Sequence, residues 1–152
     1  MTQSLHVLFE HAKSQRDEAL AALLQAEETS RRLRQQLEQL QAYHAEYAAE
    51  APTLSGTLTP IERLRSHHAF MQRLDQALVQ QQGLMASCQA QLALRRQLLL
   101  ERETRVASVR KLLERREAEE QRCSSRREQT QSDEAATQRS WRESALIRAV
   151  AH

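Results

Sequence analysis

Both prolines of the chain, Pro52 and Pro60, fall inside one short stretch, residues 51–60, with long helix-forming sequence on either side. Before it, Phe9, Ala12, Arg16, Ala19, Leu23, Ala26, Ser30, Leu33, Leu37 and Leu40 follow one another at strictly alternating spacings of three and four. After it, the same alternation runs through Met71, Leu74, Leu78, Gln81, Met85, Cys88, Leu92, Arg95, Leu99, Arg102, Val106, Val109 and Leu113. A 3.5-residue repeat stays on one side of a helix only when helices supercoil, so each segment is a coiled-coil strand. One break between two seams predicts an all-α fold, a long two-helix antiparallel coiled-coil hairpin whose second helix is the longer. The first helix is expected over about 3–50, the loop over 51–59 and the second helix from residue 60.

The break carries its own signals. Pro52 stops the first helix and Gly56 loosens the turn. Thr59-Pro60-Ile61-Glu62 reads as a capping box, with threonine capping, proline at the first helical position and glutamate reaching back. The seams then suggest a register in which facing residue numbers total 111. Ala12 faces Leu99, Ala19 faces Leu92, Ala26 faces Met85, Leu33 faces Leu78, Leu37 faces Leu74 and Leu40 faces Met71. Small residues meet large ones, as interdigitated layers require. Ser30 then faces Gln81 and Arg16 faces Arg95, polar layers that cost stability but fix register.

In this register the first helix runs out opposite about Val109, dividing the chain into a hairpin over 1–113 and an overhang over 114–152. Beyond Leu113 the seam positions turn polar (Arg116, Glu120, Cys123, Arg127), so the overhang reads as a solvated helix frayed at its end, or as a segment ordered by a partner. Trp141 and Ala145-Leu146-Ile147 form a late apolar patch without an assigned role.

Composition narrows the function. Aromatics are 3% and charged residues 28% of 152 residues, a profile of exposed helices rather than of a globular core. The net charge of +2 gives no field for nucleic acid, and Arg115-Arg116 and Arg126-Arg127 are interleaved with Glu117, Glu119, Glu120 and Glu128 as on a solvated face. Cys88 and Cys123 lie 35 residues apart on one helix, too far for a disulfide, and no apolar run is long enough to span a bilayer. No signal peptide opens the chain, which reads as cytoplasmic and reduced. Phosphate loops, nucleophile elbows and HExxH or CxxC spacings are absent, so the chain reads as non-enzymatic, with no cofactor and no small-molecule substrate. His44 falls roughly opposite His67 and His68, but adjacent helical residues diverge by 100° and no carboxylate or cysteine lies near, so no metal site is expected.

Aromatic placement is sharper. Of five aromatics, Tyr43, Tyr47 and Phe70 gather beside the break. Tyr43 and Phe70 flank the seam and are expected to be partly exposed, as anchors of a protein interface, although the same residues could merely cap the seam.

Gln36 to Tyr47, QLEQLQAYHAEY, resembles the tyrosine-containing signature of the flagellar export protein FliJ family. Phe70 to Ala77, FMQRLDQA, is similar to the stretch that follows the break in that family. Break position, N-terminal heptads and the late Asp133-Glu134-Ala135 also fit. The resemblance implies a stalk of the flagellar type III export apparatus, needed for flagellum biogenesis and motility. Its partners would be the flagellar export ATPase hexamer, the membrane export gate protein and export chaperones. It would act at the cytoplasmic face of the cell membrane, at the flagellar basal body. Carried over from the family, gate contact falls to Gln36, Leu40, Tyr43, Tyr47, Phe70, Leu74 and Ala77. A histidine that often follows in the family is Gln81 here. By analogy with rotary stalks, Leu5, Leu8, Phe9, Val106 and Val109 would meet the ATPase ring. The alternatives are the equivalent stalk of a virulence type III system and, from another class, a structural coiled-coil spacer.

Overall fold

A computed structural model describes residues 2–50 and 60–151, and it consists of two helices, α1 (Thr2–Ala49) and α2 (Pro60–Val150). Both are rich in alanine, leucine, glutamine, glutamate and arginine, the residues that lose least on entering a helix. Pro60 opens α2, where its missing amide hydrogen costs nothing, and Glu62 lies in the first turn, where the helix dipole favours an anion. The expected helix stop at Pro52, the turn at Gly56 and the Thr59 cap lie outside the described residues.

The chain resolves into two compact units, Lys13–Thr104 and Met1–Ala12 with Arg105–His152. In each, a stretch of α1 packs antiparallel to a stretch of α2. In the Lys13–Thr104 unit the seam residues carry the burial: Ala19, Leu23 and Ser30 on α1 and Met85 and Leu92 on α2 are all under 9% exposed. Taking a leucine of this set out of water stabilises the pairing by roughly 1.5–3 kcal/mol. Arg95 is the one seam residue that is exposed, its long stem leaving the head free to reach water.

The register differs from the one the small-to-large matching suggests. Gln81 donates to the Leu33 carbonyl (3.3 Å) and to Gln36 Oε1 (3.1 Å), instead of facing Ser30. Tyr47 stacks edge-on against Phe70, and Arg102 Nη1 donates to Gln15 Oε1 at 3.1 Å. Facing numbers in the pairs Gln36–Gln81, Tyr47–Phe70 and Gln15–Arg102 each total 117 and those of His44–Asp75 total 119, flanking pairs one either side of a seam total of 118, one heptad from 111. A slip of seven residues leaves every seam residue on the seam, so periodicity cannot choose between the two registers. The expected pairings Ala26–Met85 and Leu37–Leu74 therefore do not form, and Arg16 turns to Asp17 at 2.9 Å instead of meeting Arg95.

In the other unit Ala12, Val106, Val109 and Leu113 are the buried residues, at 1%, 3%, 6% and 7% exposure. Phe9 lies under the Arg110 guanidinium, 5.6 Å from ring centre to carbon, and His6 Nε2 stands 3.4 Å from Glu117 Oε1. Thr2 reaches Glu120, so α1 accompanies α2 about a heptad further than the expected end opposite Val109. From residue 114 to residue 151 every side chain is exposed, yet α2 continues as helix to Val150.

Candidate partner-binding site

The site is built where α1 ends and α2 begins, within the Lys13–Thr104 unit. Tyr43 and Tyr47 are four residues apart, so α1 sets them one above the other on one face. The final turn is closed by the Glu50 amide donating to the Glu46 carbonyl at 3.1 Å. From α2, Phe70 comes across to Tyr47, with ring centroids 4.7 Å apart and planes at 61°. That edge-to-face contact holds both rings yet leaves each 38% exposed, while Tyr43 is 54% exposed. Aromatic rings held by packing and still open to water are suited to anchoring another protein.

The remaining residues carried over by resemblance divide by exposure. Gln36 is exposed and held by the Gln81 amide, whereas Leu40, Leu74 and Ala77 are half-buried along the seam. Gln81 itself is thus committed to the hairpin. His44 is drawn to a carboxylate, not to His67 or His68: its Nε2 lies 2.7 Å from Asp75 Oδ1. The expectation that no carboxylate lies near this histidine is thereby corrected, since the observed register carries Asp75 to His44. Among the described residues no three potential metal ligands gather.

A groove of about 680 Å³ opens beside the aromatic pair, lined by Ala48 of α1 and by Leu64, His67, His68, Ala69 and Met71 among others of α2. Sequence reasoning began the second seam at Met71 and missed this groove. The signal was present, because Leu64, His67 and Met71 continue the spacing of three and four backwards.

The residues expected to meet an ATPase ring fall in the other unit and are not alike. Val106 and Val109 are buried against α1, so they are core residues there. Leu5 and Phe9 are half-buried and Leu8 is 37% exposed. Further along α2, Trp141, Leu146, Ile147 and Val150 are at least 65% exposed. No described helix is long and apolar enough to cross a membrane.

Two antiparallel seams, a terminal aromatic cluster and the QLEQLQAYHAEY segment agree with one family, and the sequence matches the flagellar FliJ protein family over residues 1–145. The chain belongs to the FliJ family. It is therefore a component of the flagellar protein export apparatus, in a family whose members serve as structural export components rather than catalysts. No match emerges among curated proteins or among solved structures.

Proposed function

We propose that this FliJ-family chain couples the flagellar export ATPase hexamer to the membrane export gate protein, and that it also receives export chaperones. The half-exposed Tyr47–Phe70 pair with Tyr43 beside it is the observation that carries the reading. Two helices hold these rings rigidly, so little order is lost when a partner covers them. Gln36 extends the same surface with a positioned amide, while Leu40, Leu74 and Ala77 support it from the seam. At the other unit, Leu8 with the exposed edges of Leu5 and Phe9 is the proposed ring-binding surface, and Val106 and Val109 hold α1 in place behind it. A coiled coil stiffened along its seam can pass an asymmetry from a ring to a gate without catalysing anything itself. The protein acts in the cytoplasm, peripheral to the membrane at the flagellar basal body, and motility depends on it.

The test is co-purification from a motile bacterium carrying a tagged copy of the chain. Export ATPase and an integral gate subunit are expected together in the eluate. Recovery of neither, from cells in which the tagged chain supports swimming, overturns the reading.

A further inference from the structure

Residues 76–94 of α2 contain no charged side chain, in a chain that is 28% charged. Part of that run faces α1, but the side turned away from α1 is uncharged as well. Gln76, Val79, Gly83 and Ala86, and then Ser87, Ala90, Leu94 and Gln97, follow at spacings of three and four on either side of the adjacent Ala86 and Ser87, and all are exposed. Val79 and Leu94 are 67% and 66% exposed, and a Cβ added at Gly83 would meet nothing within 4 Å. A solvated helix face normally carries charges, and this chain places them freely elsewhere.

The order of residues on this face reads the same from either end. About a centre between Ala86 and Ser87, Gly83 answers Ala90, Val79 answers Leu94 and Gln76 answers Gln97. Asp75 and Arg96, nearer in sequence, turn to His44 and Glu27 of α1, and the charges that flank the outer face are Arg73 and Glu101, opposite in sign and one residue from exact mirror positions. Arg73 stands at one end and Glu101 at the other, both exposed, and neither has an ion pair among the described residues. We infer that this face is the seat of a second copy of the chain, packed with its α2 antiparallel to the first across a two-fold axis near Ala86 and Ser87. Small residues meet at the centre, where the helices approach closely. Val79 of each copy lies against Leu94 of the other, and Arg73 of each pairs with Glu101 of the other at both ends. A parallel partner would lose this matching, and a charged partner helix would leave its own charges buried without partners.

The area suffices for a specific but reversible dimer. The span from Arg73 to Glu101 is about 42 Å of helix at 1.5 Å per residue. A contact strip roughly 15 Å wide over that length covers about 600 Å² per copy, at the lower bound of standard specific interfaces. The inference rests on this face alone and is independent of the gate and ring assignments above.

Sedimentation equilibrium of the full chain tests it, with a dissociation constant on the order of 10 µM expected for an interface of this class. Arg73→Glu sets like charges together twice in each dimer and is expected to weaken association about tenfold or more. Arg73→Glu combined with Glu101→Arg restores the opposite-charge pairs and is expected to recover dimerisation, with helix content unchanged throughout. Ala90→Glu, a charge at the centre, abolishes it. A chain that remains monomeric well above that concentration overturns the inference, even if the face then binds another export protein. A dimer indifferent to the charge swap and to Ala90→Glu uses another surface and overturns it equally.

Discussion

Replacing Phe70 with alanine separates the binding role of the aromatic cluster from its role in the fold. The ring is 38% exposed and its one described aromatic contact is the edge-to-face packing with Tyr47. Truncation therefore forfeits that contact, about 0.5–1.5 kcal/mol, and part of the ring's burial, for a total of about 1–2 kcal/mol in hairpin stability. Leu92→Ala, at a position only 6% exposed, is expected to cost about 2–5 kcal/mol by leaving a cavity in the seam. Binding responds in the opposite order. If Phe70 anchors the gate, its loss weakens gate affinity by about 2 kcal/mol or more, roughly thirtyfold. Urea unfolding gives the stability of both variants, and titration with the soluble domain of the gate protein gives the affinity. Gln82→Ala, an exposed change on the other flank of α2, serves as the control and leaves both quantities unchanged. The reasoning fails if Phe70→Ala destabilises the hairpin as much as Leu92→Ala does, for the ring is then core. It fails equally if the folded variant binds the gate with native affinity.

Three further expectations follow from the helices themselves. In a background without Cys88 and Cys123, cysteines at Ala26 and Leu92 cross-link within one chain, and cysteines at Ala26 and Met85 do not; the reverse result restores the register in which facing numbers total 111. Gly83→Ala, at an open helical position, raises the stability of the dilute protein by about 0.8–1 kcal/mol in thermal or urea unfolding, whereas a loss there indicates a neighbour not seen in the structure. Backbone amides beyond about residue 120 exchange their hydrogens rapidly in the free protein, since no side chain from 114 onward is buried to hold the helix closed; strong protection through residue 140 at low concentration contradicts this.

The legibility of this fold in its sequence follows from the physics of heptads. Nearly every residue assigned to a seam is buried or half-buried, because a 3.5-residue repeat admits a single solution for which side of a helix is covered. The start of α2 at Pro60 was equally readable, since proline is tolerated there and scarcely anywhere later in a helix. Register was not readable, because a shift of one heptad leaves the apolar pattern intact. The choice between 111 and 118 rests on polar contacts, Gln81 with Gln36 and the Leu33 carbonyl and His44 with Asp75, which composition does not rank. The same limit explains why Val106 and Val109 looked like surface candidates. With the shorter register they sit at the end of the hairpin, whereas α1 in fact continues beside α2 to Glu120 and covers them. Exposure of Tyr43 and Phe70 was legible, because both stand beside the seam where it runs out, whereas Tyr47 falls on the seam spacing itself, seven residues after Leu40, and is still 38% exposed.

The central claim, that one chain meets the gate and the ATPase through different units, is tested most directly by photo-cross-linking in motile cells. A photoreactive residue replaces Tyr43 in one strain and Leu8 in another, both positions being exposed. The account predicts an adduct with the gate protein from position 43 and an adduct with the export ATPase from position 8. Adducts of both positions with the same partner, or with the two partners exchanged, contradict it.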